Sequence, residues 1–152
     1  MTGTSKEGRI RLLGLDYGDK SVGVAISDGF GCGAEGVCVI RRERASKLRE
    51  TYRRIGELIE DYGIGGIVVG LPMLLDGSEG ERCVKTREFA KNLSDRCGLP
   101  VFFQDEEFST DEAYRLMDER GIKKEQQKLM VDEVAALLIL EDYLETHGTD
   151  NI

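Results

Sequence analysis

The chain has 152 residues, 40% of them hydrophobic and 33% charged, with a formal net charge of −8. That length and balance describe one soluble globular domain with room for a sizeable core; a second domain, a disordered chain and a membrane protein are excluded on composition. Met1 to Gly8 is short and polar, unlike a secretory signal, and no apolar run approaches the roughly 20 residues that span a bilayer, so the expected location is the cytoplasm.

Arg9 to Asp16 reads as a strand. The turn Tyr17-Gly18-Asp19-Lys20 joins it to a second apolar run, Ser21 to Ser27, as a hairpin. A third strand is predicted at Gly36 to Ile40. From Ala45 to Tyr62, Leu48, Tyr52, Ile55, Leu58 and Ile59 recur at helical spacing, with Gly63 as a stop. Ile67 to Gly70 is wholly apolar, as in a strand covered on both faces. A glycine-containing loop, Leu71 to Gly80, leads to a helix over Glu81 to Arg96, ended by Cys97-Gly98. Val101 to Phe103 is the fifth strand, with Asp105 and Glu106 at its end. Helices follow at Thr110 to Arg120, broken at Gly121, and at Val131 to Thr146, the latter apolar nearly all round from Val134 to Leu140. A hairpin followed by two crossovers implies an α/β domain with a five-stranded mixed sheet and helices on both faces, ordered over about residues 9–146.

The cysteines, Cys32, Cys38, Cys83 and Cys97, form no CxxC pair and share one histidine, His147, so a structural zinc site and Ser-His-Asp or Cys-His catalysis are both disfavoured. The acids are more informative. Ligands of open sheets sit beyond the carboxyl ends of parallel strands. Asp16 closes the first strand, Asp105 and Glu106 close the fifth, and Asp132 stands at the start of the last helix. Carboxylates held close repel one another unless a cation compensates, and magnesium takes hard oxygen ligands together with substrate phosphate oxygens. Each acid also has a purely structural reading: Asp16 as a turn former, Asp105 as a turn cap with Ser109 or Thr110 capping the next helix, and Asp132 as an N-cap or dipole partner. Their joint placement favours a site.

Two further features concern phosphate. Arg41, Arg42, Arg44, Lys47, Arg49, Arg53 and Arg54 face only Glu43 and Glu50, a basic stretch in an acidic chain that reads as a solvated helix face or a phosphate-facing surface. The loop of Gly70, Pro72, Asp76, Gly77, Ser78 and Gly80 precedes a helix carrying Arg82, Lys85 and Arg87. Its backbone N–H groups and Ser78 suit a phosphate, or the loop is a structural turn.

The segments LGLDYG (13–18), VGVAISD (22–28), VVGLPMLLDGSEG (68–80), QDEEFST (104–110) and VDEVAALLILEDYL (131–144), in this order, resemble the YqgF family of Holliday-junction-resolvase-like proteins. The resemblance runs from about Arg9 to Leu144. It implies an RNase H-like fold and a nuclease that processes the 5′ end of precursor 16S ribosomal RNA, or in some members resolves Holliday junctions. Carried over, Asp16 is the first-strand metal ligand, Asp105 and Glu106 are the acidic pair of the DERxST motif, and Asp132 is the carboxylate of the C-terminal helix. All four are then catalytic and metal-binding, with Mg2+ or Mn2+ as the cofactor. Lys20, Arg41, Arg42, Ser78, Arg82, Ser109 and Thr110 are expected to contact the substrate, structured RNA or branched DNA, and the chain is expected to be a monomer or weak homodimer. Two departures stand out. Glu107 replaces the motif's arginine, putting an anion where a cation would meet phosphate, and Leu74 stands where relatives often carry asparagine. A non-catalytic nucleic-acid-binding module is the alternative these departures leave open.

Overall fold

A computed structural model describes residues 10–28, 33–74, 76–106 and 109–147. Five strands form one sheet: β1 (Arg11–Tyr17), β2 (Ser21–Ser27), β3 (Ala34–Arg41), β4 (Ile64–Pro72) and β5 (Val101–Glu106). Their order across the sheet is β3-β2-β1-β4-β5. The hairpin strands β1, β2 and β3 pair antiparallel, and β1, β4 and β5 run parallel. The four helices are α1 (Arg49–Tyr62), α2 (Glu81–Cys97), α3 (Ser109–Glu119) and α4 (Lys124–His147).

Strand alternation sorts the side chains onto two unlike faces. Leu13, Leu15, Val22, Val24, Ile67 and Val69 pack with Tyr52, Ile55 and Leu58 of α1 and Phe89, Ala90 and Leu93 of α2. Leu12, Ala25 and Val68 pack on the opposite face with Ala136, Ile139, Leu140 and Tyr143 of α4. Helices therefore cover both faces, as expected. α1 and α2 end at Gly63 and Gly98, each in the left-handed region with φ 63° and 73°.

The face under α4 is built for close approach. A Cβ on Gly23 would lie 1.8 Å from the Asp132 carbonyl oxygen, and one on Gly14 would lie 2.9 Å from Cβ of Leu140. Only glycine lets the helix backbone settle so near the strands. Gly23 is also the ladder partner of Asp16. The seat for α4 and the end of β1 are thus one local structure.

Several boundaries differ from the sequence expectation. α4 begins at Lys124 rather than Val131, so Asp132 lies in its third turn and is not at the helix start. α1 begins at Arg49, and Ala45 to Leu48 form a turn in which Lys47 N–H donates to the Arg44 carbonyl. β4 and β5 are longer than expected, and β5 reaches Glu106. Cys83 is buried, and Cys38 and Cys97 are half-buried free thiols. Cys32 and Glu107 lie outside the described residues.

Candidate active site

Asp16 and Gly23 occupy the same face of the hairpin, and the close contact of Gly23 with α4 brings Asp132 to the same place. The Asp16 carboxyl is pushed up to about 6, first by burial and then by the negative charge of Asp132, with Arg82 acting in the opposite direction. Asp132 is held from the other side: the Ser21 hydroxyl donates to its Oδ2 at 2.6 Å. A helix carboxylate and a strand carboxylate are therefore set against each other by backbone packing.

β5 supplies the next acid. Pro72 pairs with Glu106 and Leu71 with Asp105, so the two β5 acids point to opposite faces. Glu106 faces α4, where its carboxyl feels Asp16 and shares a hydrogen bond with Asp142. Burial, that bond and the charges of Asp142, Glu112 and Asp16 push it up to about 8. Asp105 is exposed on the α2 side, within range of the Arg87 charge. The sequence expectation grouped both acids with Asp16; strand alternation permits only one, and it is Glu106.

The donors suit a hard divalent cation, since all are carboxylate oxygens and burial and neighbouring acids raise two of them above the ordinary carboxylate range. They are not drawn into a finished cage. Among the described residues no three acidic, imidazole or thiol groups converge closely enough to hold a metal ion. Asp132 is turned to Ser21 and Glu106 to Asp142. A pair of carboxylates completed by water and substrate phosphate is the shell that magnesium usually takes.

The surrounding residues divide by task. Arg82 flanks Asp16, with Nη1 3.9 Å from Asp19 and Nη2 3.5 Å from the Tyr17 carbonyl oxygen. Lys20 is exposed in the hairpin turn beside it. Arg42 donates from Nη2 to the Gly18 carbonyl at 2.6 Å and lies over the Tyr17 ring at 5.1 Å, so it braces the turn. Arg41 donates to the Leu129 carbonyl of α4 at 3.1 Å. The Ser78 hydroxyl is taken by Asp76 Oδ1 at 2.5 Å, and the Leu74 and Ser78 backbones close the loop, which favours the structural-turn reading. Thr110 is exposed in the first turn of α3, which begins at Ser109. Ser21 and Asp142 were not anticipated. Asp142 follows Asp132 by nearly three helical turns, a spacing that becomes visible only once α4 is known to contain both.

The sheet order, the helix laid across one face and the acids at the carboxyl ends of β1 and β5 define an RNase H-like domain. Thermus thermophilus RuvC has this fold: one structure matches with a TM-score of 0.56 at 16% identity, covering 92% of this chain and 98% of that one. A second, RuvC in complex with a Holliday junction substrate, matches with a TM-score of 0.56 at 13% identity, covering 91% and 97%.

The chain belongs to the RuvX (YqgF) family, described as Holliday junction resolvase, whose model matches residues 10–146. Two relatives carry the name "Putative pre-16S rRNA nuclease". One, from Agathobacter rectalis, is 48% identical over 90% of this chain and 95% of its own. The other, from Lachnospira eligens, is 43% identical over 90% and 98%.

Proposed function

We propose that the protein is a magnesium-dependent nuclease that trims the 5′ end of precursor 16S ribosomal RNA. The observation that carries this reading is the confrontation of the half-buried Asp16 and Asp132 across the Gly23 contact. Two carboxylates held against each other at a strand end have no stabilising purpose of their own; a bound cation supplies the missing charge.

Asp16 and Asp132 would hold the ion, and Glu106, ionised and released from Asp142, would be the third carboxylate available to it. When bound, magnesium or manganese neutralises charge at the phosphodiester and lowers the pKa of water there. The chain's own groups do the rest. Ser21 fixes the orientation of Asp132, as the hydrogen-bonded partners of metal ligands commonly do. Arg82, beside Asp16, faces the phosphate and balances the acids in the substrate-free site. Lys20 and Thr110, both exposed, would be polar contacts for the substrate, while Arg42 contributes through the hairpin it braces.

The test is cleavage of a precursor 16S 5′-leader RNA in magnesium, with Asp16→Asn and Asp132→Asn beside the wild type. Each variant is expected to lose about 100-fold or more in rate. Unchanged cleavage in either variant contradicts the assignment. The family description favours one second reading, resolution of four-way DNA junctions. The same site would serve, because phosphate geometry is common to both substrates, so a junction assayed in parallel decides between them.

A further inference from the structure

Between the end of β3 and the start of α1 lies an open cavity of about 600 Å³. Arg41, Arg42, Lys47 and Arg49 line it, with Glu43 and Glu50 as the only acids of the lining. Glu50 is already matched, since Arg53 donates to both its oxygens at 2.8–3.1 Å. Arg53 and Arg54 are paired with Glu50 and Glu57, whereas Arg41, Lys47 and Arg49 head no ion pair among the described residues. The Nη1 of Arg42 is buried and has no hydrogen-bond partner among them. A buried guanidinium donor without an acceptor leaves a bond to be made.

The helix beside the cavity adds to this. α1 starts after Leu48, which provides no side-chain cap for the N–H groups of its first turn. Arg49 and Lys47 sit at that end, where the helix dipole disfavours cations. Placing them there sacrifices stability, and an anion bound between them would recover it. The pocket also adjoins the acidic site. Arg41 is the ladder partner of Ser21, whose hydroxyl holds Asp132, and β3 lies two strands from β1, roughly 10 Å.

We propose that this cavity is an anchoring site for the sugar-phosphate backbone of the substrate, holding a phosphate about 10 Å from the one between Asp16 and Asp132. The proposal rests on the nuclease reading only for the identity of the ligand as nucleic acid. It gives the acidic chain a local cationic foothold beside a site that would otherwise repel a polyanion.

The test is equilibrium binding of a fluorescent single-stranded RNA of about 20 nucleotides in EDTA, where no cleavage intervenes. It is made on the full chain and on the double variant Lys47→Glu/Arg49→Glu, both also carrying Asp16→Asn. The double variant is expected to bind at least about tenfold more weakly, with a salt dependence shallower by about 1.4 in log–log slope for two lost phosphate contacts. Its melting temperature is expected to hold or rise, because glutamate suits the first turn of α1. Lys91→Glu on α2, the same kind of charge change elsewhere, is expected to leave affinity within about twofold. Equal loss in the Lys91 variant, unchanged affinity in the double variant, or no RNA binding by any form overturns the proposal. So does charge-reversal-sensitive binding of inorganic phosphate with RNA affinity unmoved. Loss of binding in the double variant, alongside a wild type that cleaves nothing, upholds the anchor and removes the nuclease reading alone.

Discussion

The two faces of the sheet are made from the same five strands but put to opposite uses. Under α1 and α2 the core is built mainly of aliphatic and aromatic side chains, and Phe89 is stacked between Tyr17 at 4.2 Å and Tyr52 at 5.6 Å. Under α4 the strands give up side chains at Gly14 and Gly23 and end in Asp16 and Glu106. One face supplies stability through apolar burial; the other accepts mutual repulsion of acids in a water-poor place, which is worthwhile only for a charged ligand. The difference teaches where substitutions should harm folding and where they should harm binding.

The largest effect is expected on the apolar face. Phe89→Ala removes a fully buried ring and should lower unfolding free energy by about 3–5 kcal/mol, read by urea denaturation, while metal affinity of the folded fraction is unchanged. Gly23→Ala is the counterpart on the other face. Its Cβ cannot coexist with the Asp132 carbonyl, so α4 must lift, costing about 3 kcal/mol and displacing Asp132 from Asp16. Here stability and metal binding should fall together; a Gly23→Ala variant that binds magnesium normally would break the comparison.

Asp16→Asn should behave in the opposite sense. Asp16 ionises near 3.8 when unfolded and about 6 when folded, so the folded state keeps a proton that the unfolded chain has lost. Its contribution to stability is therefore complete below about pH 4 and is lost as pH rises to about 6. Glu106, at about 8 against an ordinary 4.5, extends the decline toward neutral pH and above. In metal-free buffer the wild type should be more stable near pH 5 than near pH 8. Asp16→Asn should recover on the order of 2–3 kcal/mol at the higher pH while abolishing the site, and thermal melts across that range check both signs. A flat pH profile would remove the claim that burial and mutual repulsion raise these acids. The smallest change is Ser21→Ala, which leaves Asp132 without its donor and should weaken magnesium about tenfold for about 1 kcal/mol of stability.

The apolar architecture was largely legible in the sequence, because strand alternation and helical spacing are set by burial. All five strands and four helices fall where the pattern puts them, with altered ends. The ends that moved are those where polar residues carry the structure. Lys124 to Met130 shows no apolar stripe, yet the helix begins there because buried Gln127 donates to Asp118 and to the Ile122 carbonyl at 2.8 Å each. Gly65 and Gly66 hid the start of β4 from a reading based on apolar runs. At the site, Asp16 and Asp132 were legible as candidates, but the choice of Glu106 over Asp105 needed the β4–β5 register, and Ser21 and Asp142 needed the packing of α4. Ser78 and Arg42 read as phosphate ligands in sequence; the structure gives the Ser78 hydroxyl to Asp76, whereas Arg42 gives Nη2 to the Gly18 carbonyl and keeps Nη1 without a partner among the described residues.

The most direct test of the acidic site is calorimetric titration of magnesium into the wild type, Asp16→Asn and Asp132→Asn at about pH 8, where Asp16 is ionised and Glu106 about half so. Saturable binding by the wild type, lost in both variants although both remain folded, is the predicted result. Binding that survives in either variant, or a wild type that takes up no divalent ion, would contradict it.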